Sequence, residues 1–274
     1  MHRATCLLRI GTQQVHAMWQ AASWTRGGSI KAAAEFSSIE PHESAPSLRG
    51  AIDAVLETVL PSWTLTSPDI RVSLAGTHVM AAVLRFAKLP ASAADRGLVI
   101  TQRFCREHRL DPSSIAIIEC SRANSKNVNA NVLCLAADRS LLREIQKALT
   151  GRGLYPDVIA PECLLSFAEA KGLELEMPAI AVFEEIGCNT ILVWDKEGTI
   201  IHVSTVRRDG GNDLEVQRRL DARIKRYAQI VAEQGTSPAV YFDSQLTVNS
   251  IRPVHGLTLL RWPPQTKTAQ NCAL

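Results

Sequence analysis

Alternation of apolar and polar positions opens the chain. Residues 6–10 are mostly apolar, Gly11-Thr12-Gln13-Gln14 reads as a turn, residues 15–21 alternate, Arg26-Gly27-Gly28 turns again, and residues 30–36 return. This is the pattern of a hairpin followed by a third strand. The period lengthens over residues 47–60, where Ile52, Leu56, Val59 and Leu60 share one helical face and Pro61 stops the run. Residues 70–74 then predict a strand.

The second half plays the same order. Residues 179–183 are apolar, Gly187-Cys188-Asn189 turns, 190–194 is a strand, Asp195-Lys196-Glu197-Gly198 turns, and 199–206 is a third strand. A helix over 212–234 and a strand over 239–242 follow. Two copies of strand–strand–strand–helix–strand predict a duplicated α/β unit, each a mixed sheet with helices packed on it. Between them, residues 76–160 read as a block of their own. It holds a strand over 79–86, a helix over 93–109, strands over 115–121 and 131–137 joined by the polar stretch 122–128, and a helix over 138–150. A further helix over 161–171 leads into the second copy. The expected organisation is a first unit (1–75), an inserted α+β subdomain (76–160), a linking helix with a second, shortened unit (161–264), and a flexible polar tail (265–274).

Composition narrows the class. Of 274 residues, 46% are hydrophobic and 21% charged, which excludes disorder along the whole length. A net charge of +3 does not by itself point to nucleic acid or to an anionic membrane. No apolar run reaches the roughly 18–20 residues of a spanning helix. The opening MHRATCLLRIG has too short an apolar stretch for a signal peptide. Seven cysteines without close pairing suggest reduced thiols and a cytoplasmic address.

Several stretches, taken in order, resemble one family. They are Leu8-Arg9-Ile10-Gly11-Thr12-Gln13-Gln14-Val15, Val72-Ser73-Leu74-Ala75-Gly76-Thr77-His78-Val79, Gly153-Leu154-Tyr155-Pro156-Asp157-Val158, Glu185-Ile186-Gly187-Cys188-Asn189-Thr190, and Gly210-Gly211-Asn212-Asp213. Over about residues 6–245 the chain resembles the PilM family of type IV pilus assembly, and is similar to the related cytoplasmic part of type II secretion L proteins (GspL). The resemblance implies an actin-like fold of ribonuclease H-like duplicated units carrying an inserted small α+β subdomain.

It also implies a place for nucleotide. In actin-like ATPases two glycine-bearing hairpins cradle phosphates with backbone N–H groups, and acidic residues hold the Mg²⁺ shell. The positions that match are Gly11, Thr12 and Gln13 in the first loop, Glu185, Gly187, Asn189 and Thr190 in the second, and Gly210 and Gly211 before the last helix. The family's first-loop Asp is here Arg9, which is always protonated and offers no acceptor to a metal. His16 stands where a lysine is common. The second-loop Asp is Glu185, in a loop one residue shorter. The adenine-packing Gly-Gly turn would fall at 243–247, DSQLT, which has no glycine. The expectation is a pseudo-ATPase: no catalytic residue, no metal, no resident cofactor, with ATP and Mg²⁺ doubted. Gly11 and Gly187 also read simply as hairpin turns.

By the same resemblance the function is a cytoplasmic scaffold at the inner face of the bacterial inner membrane, in a type IV pilus or type II secretion-like machine. Its partner would be the N-terminal segment of a bitopic, PilN-like membrane protein, with other platform subunits. Membrane contact would be indirect and nucleic acid is not expected. The segment would lie in a groove between the first unit and the insert, lined by Val72, Leu74, His78, Val79, Ala81 and Val83. The alternative is an active actin-like ATPase that switches partner binding with nucleotide; a third reading is a small-molecule enzyme on another duplicated α/β fold.

Two further constellations stand out. Cys105 and His108 lie three apart on a helix but have no second pair for a zinc site. The helix over 212–234 carries Arg218, Arg219, Arg223, Lys225 and Arg226 opposite an apolar stripe of Leu214, Leu220, Ile224, Tyr227 and Ile230-Val231. That face is solvated or docks on anionic lipid or an acidic partner segment.

Overall fold

A computed structural model describes residues 4–11, 14–20, 30–37, 47–60, 68–121, 128–169, 175–208, 213–233, 237–243 and 258–262. Thr12, Gln13, Gly210, Gly211, the stretch 122–127, the expected adenine turn beyond 243 and the tail 265–274 lie outside the described residues.

The first sheet is built from β1 (Thr5–Ile10), β2 (Gln14–Gln20), β3 (Ile30–Ser37), β4 (Asp69–Leu74) and β8 (Pro156–Pro161), in the order β3-β2-β1-β4-β8. β1, β2 and β3 pair antiparallel, and β4 and β8 continue parallel to β1. The second is built from β9 (Ala179–Glu185), β10 (Cys188–Trp194), β11 (Ile200–Arg207), β12 (Ala239–Asp243) and β13 (Thr258–Trp262), in the order β11-β10-β9-β12-β13. Its pairings have the same senses, antiparallel through β11-β10-β9 and parallel through β9-β12-β13. The duplication read from the sequence is therefore a duplication of whole five-stranded sheets. A shortened second unit was expected; β13 gives its sheet the same number of strands as the first.

Alternation decides which face each strand presents. In β1, Cys6, Leu8 and Ile10 are fully buried under two helices, α1 (Leu48–Val59) and α3 (Arg139–Thr150). Leu7 and Arg9 point to the other face, as the period of two requires. α1 starts at Ser47, whose hydroxyl accepts from the Gly50 N–H at 3.3 Å, and ends at Leu60, held extended before Pro61. Its Ile52, Val55, Leu56 and Val59 enter the core at helical spacing. Burying each such side chain contributes about 1.5–3 kcal/mol. α3 starts at Asp138, whose carboxylate accepts from the Ser140 N–H at 2.6 Å. Its Ile145, Ala148 and Leu149 join the same core, and Arg152 beyond its end reaches Glu57 of α1 at 2.7 Å. So α3 and β8, placed by the pattern in the inserted block, pack and pair with the first sheet.

The insert proper is a three-stranded sheet of β5 (Met80–Lys88), β6 (Ile115–Ser121) and β7 (Val128–Asp138), ordered β5-β7-β6, with α2 (Ala93–His108) on one face. Its other face, through Ala81, Val83, Leu133 and Leu135, packs on the second sheet at Leu192, Trp194 and Val203. α4 (Glu162–Glu169) adds Cys163 and Leu164 there. The opposite face of that sheet is covered by α5 (Asp213–Ala232) through Val216, Leu220, Ile224, Tyr227 and Val231. A sheet covered on both faces needs apolar residues at successive positions, which is why 179–183 and 190–194 read as continuous apolar runs. Leu214 and Ile230, assigned to the apolar stripe of α5, are exposed; Val216 is buried.

Candidate functional site

The turns of the two leading hairpins meet where the sheets converge. The first runs from Ile10 through Gly11 to Gln14, closed by Gly11 N–H donating to the Gln14 carbonyl at 2.8 Å. The second is Ile186-Gly187, with Gly187 at φ +75°, a conformation that favours glycine. A methyl group on Gly11 would stand 2.3 Å from Ile186 Cγ2 and 2.9 Å from its Cβ. The glycine is thus required by contact with the opposite turn. Ile186 is 6% exposed and joins Ala75 and Cys188 in a small apolar cluster.

Beside this contact is a cleft of ≈ 420 Å³ lined by Arg9, Gln14, His16, Glu184, Gly187 and Arg208, among others. Arg9 faces it because it alternates with Leu8 and Ile10. Its guanidinium is ion-paired with Glu162, and both side chains are largely buried. Glu162 opens α4, where the helix dipole favours a carboxylate. Arg208 pairs with Glu184 at 2.8 Å and donates to the Cys188 carbonyl at 3.2 Å and to the Glu185 carbonyl, clasping the second turn. His16 lies 3.2 Å from Glu35. The cleft's two arginines are already compensated.

Glu185 also borders the cleft, but its carboxylate is turned inward. The residue is 1% exposed; its Oε2 accepts from the Gly76 N–H and from the Cys188 thiol at 3.3 Å. Burial pushes its carboxyl above the ordinary range, against the hydrogen bonds that lower it, of which that from Gly76 is largest. Gly76 is as constrained as Gly11: a methyl group there would meet Thr190 Oγ1 at 2.6 Å and Glu185 Oε2 at 2.9 Å. The acid that resemblance places at the Mg²⁺ shell is a buried clasp between the end of the first sheet and the second hairpin. Arg9 cannot ligate a metal, and the carboxylate lining the cleft beside it, Glu184, is held by Arg208. The described side chains do not fit a magnesium nucleotide.

Two more expected loop residues are not in a loop. β10 begins at Cys188, so Asn189 and Thr190 are strand residues opposite Val206 and Thr205, and both are buried. The short turn leaves them in the ladder. Of the expected groove residues, Val72 and Leu74 are core residues of the first sheet, 0% and 2% exposed, because β4 turns them under α1. Val83 lies in the packing of the insert on the second sheet. His78, Val79 and Ala81 do line a groove, of ≈ 490 Å³, together with Leu110, Ala137 and Thr205. Its opposite wall is β11 of the second unit, where the first unit was expected. Ile186, Glu162 and Arg208 were not anticipated as site residues. Cys105 is buried in the insert core and His108 stacks on Phe104 at 4.5 Å. Among the described residues no group of three or more His, Cys, Asp or Glu is arranged to hold a metal, and no helix is long and apolar enough to cross a membrane.

Duplicated sheets of this order and pairing, converging on paired hairpin turns, define the actin-like fold. A solved structure from Bacteroides thetaiotaomicron, described as having an actin-like ATPase fold and unknown function, matches at a TM-score of 0.53 with 10% identity, over 90% of this chain and 84% of the other. The chain also matches the PilM–PilN type IV pilus biogenesis complex (TM-score 0.60, 13% identity, 95% and 88% covered). The cytoplasmic domain of EpsL, an inner membrane component of the type II secretion system of Vibrio cholerae, matches with a TM-score of 0.58, 12% identity and 97% and 92% coverage. No protein-family model and no curated protein matches the sequence.

Proposed function

We propose that this protein is a non-catalytic actin-fold scaffold of a type IV pilus or type II secretion-like machine, which holds the cytoplasmic segment of an inner-membrane partner of the PilN kind. The observation that carries the reading is the contact of the two hairpin turns through Ile186 and Gly11. Where an actin-like ATPase needs a gap for phosphates, these turns touch. The ion pair of Arg9 with Glu162 and the inward Glu185 point the same way. Likeness in fold to the PilM–PilN complex and to EpsL supports the choice of machine. The protein would sit in the cytoplasm at the inner face of the inner membrane, held there by its partner.

Two measurements test the reading. Thermal unfolding with up to millimolar ATP and Mg²⁺ is expected to show no stabilisation. A ligand binding only the folded form at a hundredfold excess over its Kd would add about 2.7 kcal/mol, so a magnesium-dependent rise in Tm, or ATP turnover lost in Glu185→Ala, overturns the pseudo-ATPase. A two-hybrid assay against the N-terminal cytoplasmic segment of the same organism's PilN-like protein is expected to score positive, and no interaction there removes the proposed partner.

A further inference from the structure

The basic face of α5 does not stand alone. Arg219, Arg223 and Arg226 recur at helical spacing and turn toward the end of β11, where Arg207 joins them around a cleft of ≈ 500 Å³ floored by Thr205, Val206 and Ala222. All four arginines are exposed. Among the described residues none of them has an ion-pair partner. Of the helix's described acids, Asp221 accepts from Gln217 at 2.9 Å, and Glu215 makes no ion pair among the described residues. Arg85 of β5 faces the same region. The ring of His202 on β11, 4.4 Å from that of Tyr227, lies in the field of Arg226, Arg223 and Arg85; burial first, and then those charges, push its imidazole below the ordinary value.

Cations gathered with no carboxylate beside them among the described residues repel one another, and folding alone gives no return for placing them together. Their position gives one. The cleft shares Thr205 and Arg207 with the groove lined by His78, Val79 and Ala81, so the two adjoin across the edge strand β11, and a segment lying over that strand would use both as one channel. One part presents Val79, Met80, Ala81, Leu110 and Ile115 beside polar His78, Ser114 and Ser204, and Asp138 is the acid on its wall. The other part is cationic.

We infer that this channel binds an extended acidic segment of a partner protein, with apolar side chains in the groove at Val79–Ala81 and two or more carboxylates against Arg207, Arg219, Arg223 and Arg226. The site deepens the scaffold reading by stating the chemistry of the held segment, and rests on it only for the identity of the partner. Concavity selects a peptide over a bilayer: the arginines surround a cleft between a strand and a helix, whereas a membrane surface is met by a flat or convex basic face. Arginine suits the task, since its planar fork takes a carboxylate with two parallel hydrogen bonds.

The probe is a display library of random 12-residue peptides, selected on the full-length protein at low salt. Enriched peptides are expected to carry at least two Asp or Glu beside apolar residues. As synthetic peptides they are expected to bind at least tenfold more weakly to Arg219→Glu/Arg223→Glu, and to weaken as salt rises from 50 to 300 mM. Arg219→Gln/Arg223→Gln, which removes charge without reversing it, is expected to fall between. Both sites are exposed, so unchanged thermal melts certify folding. Enriched peptides without acidic bias, or binding indifferent to both variants, overturn the inference. So does the absence of selected peptides, and arginine-dependent binding to phosphatidylglycerol vesicles would then assign the cleft to lipid headgroups. An acidic peptide selected here while the PilN-like segment fails to bind would sustain the channel and remove only the partner's identity.

Discussion

Glu185→Gln is expected to make the protein more stable than wild type at neutral pH, with a margin that shrinks as the pH is lowered. The carboxyl is 1% exposed and its folded-state value is raised, with burial as the leading cause. A raised acid binds its proton more readily in the folded than in the unfolded chain. Folding stability from this group is therefore complete below the unfolded value of about 4.5 and falls as pH rises from there through the folded value. Glutamine keeps an oxygen to accept from the Gly76 N–H but carries no charge to bury. The stability difference between variant and wild type should therefore grow with pH from about 4.5 upward, at a slope of up to about 1.4 kcal/mol per pH unit, and level off above the folded value. Urea unfolding of both proteins at pH 4.5, 5.5, 6.5 and 7.5 measures it. A flat difference would mean that the carboxyl titrates as in water. A variant losing ground as pH rises would mean that the ionised form is stabilised, as expected of an acid poised for a cation, and would reopen the nucleotide reading.

The same residue marks where the sequence is legible and where it is not. Its alignment with a second-loop acid is plain from Glu185-Ile186-Gly187, but the direction of its side chain is not, because that depends on Gly76 arriving from the first half of the chain. The duplicated hairpins were readable since each is a local pattern: Cys6, Leu8 and Ile10 alternate, and Gly187 punctuates. α3 was readable as a helix yet misplaced, since the destination of Ile145, Ala148 and Leu149 is set by α1 and β1, far away in the chain. β8 and β13 were missed because PDVIAP is short and bounded by prolines, and TLLRW follows a long stretch with no clear period. Cys188 and Asn189 were misread as turn: a two-residue turn takes them into β10, ahead of Thr190 where the strand was read to begin. His78, Val79 and Ala81 do line a groove, but its other wall on β11 was not legible because no local pattern says which sheet the insert will cover.

Gly11→Ala is expected to destabilise the protein by about 1–3 kcal/mol, the usual cost of forcing a methyl group into filled space, and the part of that loss due to Ile186 Cγ2 should vanish when Ile186 is also reduced to Ala, which keeps only the Cβ contact. The added carbon would lie 2.3 Å from Ile186 Cγ2 and 2.9 Å from Cβ. Neither atom is the free end of a long side chain, so relief requires the second turn to move. Ile186→Ala alone removes buried apolar surface and is expected to cost about 2 kcal/mol. If the two turns press on each other as described, the double variant will be more stable than the sum of the single changes predicts, by at least about 1 kcal/mol. The cycle needs four unfolding curves. Additive effects, or a tolerated Gly11→Ala, would mean that the turns stand apart in solution. The cleft beside Arg9 and Arg208 would then be open to a phosphate, and the case against nucleotide would rest on Arg9 and Glu185 alone. Strong coupling would instead tie stability to the closed contact. A phosphate could enter only by breaking it, and adding MgATP to the Ile186→Ala protein would separate the two obstacles. Binding that appears there would identify the turn contact as the barrier; continued absence would place it in the missing acid at position 9.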